Sequence, residues 1–189
     1  MKRGERRGGA LERPGDKPPV EKQKPNFKPS GLLAAETNTV IHGEKKVVLK
    51  YQEPPNARLP PASQPWKLFI FKGSETLASA DLHTRTAWLM GREPAVCDIL
   101  MEHPSISGQH AVLQFQYKPP RHEYIEEFGE KKKDRGKVKL YVIDLESANG
   151  TKLNEEPVEG SRFVEVRSGD VLKFGSSERE YVVMLAPVE

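Results

Sequence analysis

The sequence predicts an all-β sandwich preceded by a basic N-terminal tail. Apolar residues alternate with a period of two in most segments after residue 47, and these short segments recur every 8 to 14 residues. Turn-forming pairs such as Asn149 with Gly150 and Gly169 with Asp170 separate them. No stretch of ten or more residues carries an apolar stripe at helical spacing. Many short strands, rather than helices, are therefore expected to build the core.

Length and composition indicate one domain of ordinary size plus a tail. Of the 189 residues, 36% are apolar and 30% are charged, so part of the chain is not expected to enter a core. The single cysteine, Cys97, excludes an internal disulfide and any zinc site that needs two thiolates from this chain. No apolar run is long enough to span a membrane, and the basic N-terminus does not resemble a signal peptide. We expect a soluble intracellular protein without membrane contact.

Residues 1–45 are predicted to form a disordered basic tail. Ten of the sixteen prolines precede Trp66, and residues 1–30 hold nine basic against four acidic residues, a net charge of +5. The rest of the chain has 21 basic and 23 acidic residues and nets −2. Any RNA contact is therefore expected to be weak and to reside in the tail. The basic cluster at residues 2–7 is typical of a nuclear import signal.

Two interpretations of the segment near residues 26–40 stay open. Phe27, Leu32 and Leu33 are large apolar residues in polar surroundings that cannot form a core alone. They belong either to a solvated linker or to a short motif that docks onto a partner. A proline-rich lead-in at residues 46–65 follows the tail. Its prolines exclude a helix and a central strand, and we expect it to pack on the domain.

Residues 66–187 are predicted to form the sandwich. Trp66–Lys72 shows the alternation clearly, with Trp66, Leu68 and Ile70 on one face. The other candidate strands are, in order, 87–91, 98–101, 111–117, 138–143, 163–166, 171–174 and 181–185. The segment 118–137, with seven basic and five acidic residues, interrupts this rhythm and is predicted to be an exposed, charged hairpin loop.

Three short segments at predicted strand ends carry polar residues that suggest a binding site. The segments contain Gly91 and Arg92, Ser107 and His110, and Asn149 and Gly150. Loops from several strands gather at one end of a sandwich, so these segments are expected to surround one ligand. A guanidinium, a hydroxyl and a carboxamide recognise an anion and perform no obvious proton transfer. The pattern therefore predicts an anion-binding site.

Catalytic and metal sites are not expected. Ser107 with His110 lacks the Gly-x-Ser-x-Gly elbow and an obvious acidic partner for the histidine, so the pattern does not favour a hydrolase. The five histidines show no ligand spacing, so neither a metal nor another cofactor is expected. The protein is predicted to be non-enzymatic.

The ordered set of segments resembles the forkhead-associated (FHA) domain, over roughly residues 66–185. This resemblance implies a sandwich of about eleven strands that binds phosphothreonine peptides through loops at one apex. By position, it implies that Arg92 contacts the phosphate, that Ser107 hydrogen bonds to it, and that Asn149 holds the peptide backbone. It also implies supporting roles in the site for three further residues, Gly91, His110 and Gly150.

A wider resemblance extends into the tail and the lead-in. The Asn26–Phe27 pair, the stretch 50–58 and the closing stretch 172–182 are similar to the Smad nuclear-interacting protein and pre-mRNA leakage protein family, which includes the plant protein Dawdle. That family implies a nuclear subunit of the pre-mRNA retention and splicing (RES) complex of the activated spliceosome. It implies as partners an RNA-recognition-motif subunit, a Bud13-type subunit and other spliceosomal proteins. The Phe27 segment corresponds to the part that docks onto the first of these.

Two positions that line the expected site have smaller residues than phosphopeptide-binding family members often carry there. Gly108 follows Ser107 and Ala148 precedes Asn149, so two side-chain donors are missing. Because a hydrogen bond to a charged group contributes about 1.5–3 kcal/mol, we expect micromolar or weaker binding that depends mainly on Arg92 and on avidity from the tail. The alternative is a structural interaction module of the same complex that binds proteins independently of phosphorylation.

Overall fold

The computed structural model describes residues 38–42, 45–120, 124–125, 131–132 and 136–186. The strands, in chain order, are β1 (Thr39–His42), β2 (Lys45–Val48), β3 (Trp66–Lys72), β4 (Glu75–Asp81), β5 (Ala87–Gly91), β6 (Ile99–Leu100), β7 (Ala111–Lys118), β8 (Tyr124–Ile125), β9 (Lys131–Lys132), β10 (Lys137–Asp144), β11 (Thr151–Leu153), β12 (Glu156–Val158), β13 (Val164–Val166), β14 (Val171–Phe174) and β15 (Arg179–Leu185). One turn of 3-10 helix spans Leu82–Thr84. Across these described ranges, no helix has the length and apolarity needed to cross a membrane.

Two large sheets pack against each other and confirm the predicted all-β sandwich of about eleven strands. The five-stranded sheet has the order β13-β10-β7-β5-β6, and the six-stranded sheet has the order β12-β11-β14-β15-β3-β4. Only the short β5–β6 pairing is parallel among the strand pairs of these two sheets. Antiparallel neighbours with short connections bring the loops at each end of the sandwich together.

The core lies between the two sheets and uses the faces that the alternation predicts. Leu68 in β3 and Leu113 and Phe115 in β7 are fully buried, and the ring centroids of Trp66 and Phe115 lie 6.2 Å apart. Fully burying one such side chain stabilises the fold by about 1.5–3 kcal/mol. Within the six-stranded sheet, the ring of Phe174 in β14 packs edge-on against the ring of Tyr181 in β15, at a centroid distance of 5.0 Å.

The lead-in covers the outer face of the five-stranded sheet. The Tyr51 hydroxyl donates to Oε1 of Gln114 at 2.7 Å, and the Tyr117 backbone N–H donates to the Asn56 carbonyl at 2.8 Å. Gln114, on the polar side of the predicted alternation, is therefore fully buried. A strand in a sheet with one free face would expose such a residue to water. Both faces of β7 are therefore covered, and β7 also has a neighbouring strand on each side.

The structure corrects the predicted end of the tail. β1 pairs with β2 from Thr39 opposite Val48 to His42 opposite Lys45, so residues 39–42 form a hairpin strand, whereas a disordered tail was expected to reach residue 45. The β-branched residues of this stretch favour an extended strand once a partner is available. The docking candidates Phe27, Leu32 and Leu33 lie outside the described residues.

Three strands of the sandwich were missed by the pattern for physical reasons. β4 is an edge strand with almost no burial, so its residues need not alternate. The pairing of β4 with β3 is also irregular, because the register shifts between Ile70 and Phe71. β11 and β12 have three residues each, which is too short for a period to be visible.

The charged segment 118–137 connects two paired strands. Lys118 of β7 lies opposite Lys137 of β10, and between them Tyr124–Ile125 pairs with Lys131–Lys132. The segment is thus an antiparallel hairpin connection at its described positions. Residues 121–123, 126–130 and 133–135 lie outside the described residues.

The packing gives a prediction for stability. Leu113→Ala is expected to lower the free energy of unfolding by about 2–5 kcal/mol, because it removes fully buried methyl groups from a close-packed core. Leu77→Ala is the matched control, since Leu77 is 43% exposed on the edge strand, and it is expected to cost less than about 1 kcal/mol. Urea unfolding of both variants measures this. Equal losses would contradict the assignment of the core.

Candidate functional site

Four connections meet at one pole of the sandwich. They follow the end of β5, precede the start of β7, join β10 to β11, and join β14 to β15. The registers Met90 opposite Ala111 and Asp144 opposite Ala111 place the first three together on the five-stranded sheet. All the predicted site residues of the domain lie on the first three of these connections or at their ends.

The first two segments are joined through their backbones. The N–H of Arg92 donates to the carbonyl of Ser107 at 3.1 Å, and the N–H of Glu93 donates to the carbonyl of Gly108 at 3.0 Å. A side chain on Gly91 would place its Cβ 2.2 Å from the Gly108 oxygen, so this approach requires glycine. The Arg92 side chain is exposed, and within the described part of the chain no hydrogen bond or ion pair occupies its guanidinium.

The third segment joins the second through side chains. The N–H of Ala148 donates to Oγ of Ser107 at 3.1 Å, and Nδ2 of Asn149 donates to the carbonyl of Ser105 at 2.7 Å. The structure therefore brings the segments that carry Arg92, Ser107 and Asn149 together at one pole. Gly108 and Ala148 lie beside them on the same two loops.

His110 fixes both loops from inside the core. Its Nδ1 accepts the backbone N–H of Ser107 at 3.1 Å, and its Nε2 lies 3.2 Å from the carbonyl of Gly150. Nδ1 must therefore be unprotonated while Nε2 carries the proton, which defines a neutral imidazole. Burial lowers the pKa of His110, although the hydrogen bond to Gly150 and the Asp144 carboxylate act in the opposite direction.

The turn that carries Asn149 is wound around the buried carboxylate of Asp144. Its Oδ1 accepts the N–H of Ser147 at 2.8 Å, and its Oδ2 accepts the hydroxyls of Ser147 and Thr151 at 2.7 and 2.6 Å. Gly150, with φ of +75°, turns the chain back into β11. This arrangement matches the turn role that an aspartate at a strand end suggests.

Two supporting residues, Ser105 and Gln109, were missed by sequence reasoning. The Ser105 hydroxyl accepts the N–H of Ser176 at 2.9 Å, which ties the β14–β15 connection to the site loop. The Gln109 carboxamide bonds to the backbone of the lead-in, at Val48 and Lys50. No local pattern signals these contacts, because Ser176 lies 71 residues from Ser105, and Val48 and Lys50 lie 61 and 59 residues from Gln109.

The Cys97 thiol is bonded to the loop that carries Ser107. Its thiol lies 3.1 Å from the carbonyl of Gly108 and donates to it, and burial raises its pKa to about 11. The neutral thiol is a poor nucleophile at physiological pH. Among the residues that the structure describes, no group of three or more His, Cys, Asp or Glu side chains is arranged to hold a metal ion.

The close approach at Gly91 gives a second prediction. Gly91→Ala is expected to lower the free energy of unfolding by about 1–3 kcal/mol, because its Cβ would overlap backbone atoms of Gly108. Gly108→Ala is the matched control: its Cβ would meet nothing closer than Cβ of Glu93 at 3.6 Å, so a change within about 0.5 kcal/mol is expected. Thermal unfolding compares the two variants. A stable Gly91→Ala variant would refute the constraint.

The buried imidazole gives a third prediction, on pH. Because the pKa of His110 is lowered in the fold from its ordinary value of 6.5, the unfolded chain takes up this proton first as the pH falls. The contribution of His110 to stability is therefore complete above about pH 6.5 and declines below it. Urea unfolding should show that the free energy of unfolding is lower at about pH 5.5 than at about pH 7.5. This decrease is expected to be smaller in the His110→Asn variant. An equal loss in wild type and variant would contradict this.

Known proteins resemble the chain in sequence and in structure. The FHA domain family model matches residues 88–175. Smad nuclear-interacting protein 1 of Mus musculus is 44% identical over 163 residues, which cover 86% of this chain and 39% of that protein. Pre-mRNA leakage protein 1 of Saccharomyces cerevisiae is 30% identical over 185 residues, covering 82% of this chain and 81% of that protein.

The solved structure of the yeast Pml1 splicing factor superposes with a TM-score of 0.58 at 29% identity, covering 75% of this chain and 100% of that one. The chain thus spans well under half the length of the mouse relative and most of the length of the yeast one. The sequence and structure comparisons agree. The chain belongs to the family of FHA-domain proteins that includes pre-mRNA leakage protein 1.

Proposed function

We propose that the protein is a non-enzymatic subunit of a nuclear RES splicing complex and that its FHA domain binds phosphothreonine segments of partner proteins. The observation that carries the proposal is the convergence of three loops, in which Ser107 receives hydrogen bonds from the backbone of Arg92 and of Ala148. Yeast Pml1, a relative over most of its length, is described as a splicing factor integrated into the RES complex. Its role supports the same setting for this chain.

Arg92 supplies the charge of the proposed site. A phosphothreonine carries nearly two negative charges and three acceptor oxygens, and a planar guanidinium can donate to two of those oxygens at once. The exposed Arg92 side chain can reach a ligand without first leaving an ion pair with another described residue. Its backbone N–H is already bonded to Ser107, so the guanidinium starts from a fixed point.

Ser107 and Asn149 supply the neutral contacts. Since the Ser107 oxygen accepts the N–H of Ala148, its own hydroxyl proton can point outward to a phosphate oxygen. The Asn149 carboxamide uses one N–H on Ser105 and keeps an oxygen and a second N–H for a peptide backbone. Gly108 and Ala148 add no side-chain donor, so Arg92, Ser107 and Asn149 would carry the binding.

The site geometry supports binding rather than catalysis. A serine nucleophile needs a neighbouring base to take its proton. Here Nδ1 of His110 is occupied by the backbone N–H of Ser107, and Nε2 faces the carbonyl of Gly150. The histidine therefore holds the loop and does not activate the hydroxyl.

The tail is proposed as a second binding surface. Phe27, Leu32 and Leu33 would dock onto the RNA-recognition-motif subunit, beside a Bud13-type subunit, and the basic residues of the tail would add weak contact with RNA. Two linked contacts raise the effective concentration at the second site, which would offset a modest phosphopeptide affinity. Phosphorylation would then control one contact without altering the other.

A phosphorylation-independent interaction module is the second candidate. The observation that favours it is the small size of Gly108 and Ala148, which leaves the pole with few side-chain donors for a phosphate. In that case the same loops would contact an unmodified protein surface.

Peptide titration is the fourth prediction and decides between the two candidates. Short peptides with a central phosphothreonine are expected to bind wild type, and Arg92→Ala is expected to weaken binding about tenfold to a hundredfold. Arg167→Ala is the matched control, because it removes the same charge from a turn at the opposite pole. Equal binding of the unphosphorylated peptides would favour the phosphorylation-independent module. Unchanged binding by Arg92→Ala would refute the proposed phosphate contact.

A further inference from the structure

The lead-in is fastened to the site loop as well as to the sheet. It runs along β7 from the site pole, where Lys50 lies beside Gln109, to the opposite pole, where Ala57 bridges to Gln116. Tyr51 bonds to Gln114 between these ends. These bonds hold residues 48–58 of the lead-in at defined positions along β7 and beside the site loop.

Gln109 makes the contact nearest to the site. Its Oε1 accepts the N–H of Lys50 at 2.9 Å, and its Nε2 donates to the carbonyl of Val48 at 2.8 Å. The carboxamide thereby pairs with the lead-in in the way that a neighbouring strand would. The Gln109 residue is only 8% exposed, and its backbone lies between Gly108 and His110 in the loop that presents Ser107. One side chain thus joins the lead-in to the site loop.

Lys50 is the residue that this contact places at the pole. Its side chain is exposed, while its neighbours Leu49 and Tyr51 line the groove between the lead-in and the sheet. The Lys50 charge is among the causes that lower the pKa of His110, and Nδ1 of that imidazole is 3.1 Å from the Ser107 nitrogen. The backbone of Lys50 is therefore tied to Gln109, which follows Ser107 by two positions in the site loop.

We propose that Lys50 is a second cation of the phosphothreonine site and that Gln109 is the positioning residue that holds it there. The inference rests on the proposed function and names a binding residue outside the three segments that the sequence pattern identified. A phosphate with nearly two negative charges favours two cations, while the acidic Glu93 follows Arg92 directly in the chain. Gly108 and Ala148 supply no charge to the site, so a cation from the lead-in fills that role.

The fifth prediction tests Lys50 with the same central-phosphothreonine peptides. Lys50→Ala is expected to raise Kd about three- to fivefold and to reduce the dependence of Kd on salt between about 50 and about 200 mM. Lys50→Arg should retain most of the affinity. Lys67→Ala is the matched control, because it removes the same charge at the opposite end of the sandwich, where Lys67 pairs with Asp81.

A double-mutant cycle tests Gln109. Gln109→Ala is expected to weaken binding about as much as Lys50→Ala, and the double variant no more than either, because both act through one ammonium group. If the double variant loses as much binding free energy as the two single variants together, Gln109 acts on Ser107 independently of Lys50. That result would overturn the positioning role of Gln109. Gln116→Ala, which loosens the lead-in at its other end, is expected to leave Kd unchanged.

The outcomes separate this inference from the proposed function. If Arg92→Ala weakens peptide binding and Lys50→Ala does not change it, the role of Lys50 is overturned. The proposed phosphothreonine site would still stand in that case. Equal effects of Lys50→Ala and Lys67→Ala would assign the loss to net charge and also overturn it. No binding of the phosphorylated peptides by the wild-type chain would overturn both proposals.

Discussion

Both ring nitrogens of His110 are bonded to backbone groups of different loops, and the ring packs edge-on against Phe174 with centroids 5.5 Å apart. The position of the imidazole is therefore set by the core, and the positions of the Ser107 and Gly150 loops are set by the imidazole. A neutral ring is required, because only an unprotonated Nδ1 can accept the Ser107 N–H. Core packing and site geometry thus depend on the same side chain and the same protonation state.

Polar groups at this pole fall into two classes. Asp144 and Gln109 are buried, and their side chains are bonded to neighbouring groups, as buried polar groups generally must be. Arg92 and Asn149 are exposed and retain hydrogen-bonding capacity. The buried class shapes the loops, and the exposed class faces solvent at the pole. Such a division suits recognition, since the binding groups are held in place without their own capacity being used up.

Local patterns predicted the parts of the molecule whose physical cause is local. β3 and β7 alternate because one face of each meets the core, and the segments carrying Arg92, Ser107 and Asn149 converge because each lies at a strand end on one pole. β4 was missed because an exposed edge imposes no alternation. The burial of Gln114 and the contact between Gln109 and Lys50 depend on pairings 63 and 59 residues apart in the chain. No period in the sequence encodes such a pairing, so these features required the folded chain.

The family match covers less of the chain than the two packed sheets do. Residues 88–175 exclude β3 and β15, which pair with each other in seven consecutive register positions in the six-stranded sheet. A fragment cut at those limits would separate Phe174 from Tyr181 and uncover Gln114 by removing Tyr51. The residues that match the FHA family model therefore form only part of the chain that builds the two sheets. Expression of an isolated domain should begin at the β1–β2 hairpin and continue through β15.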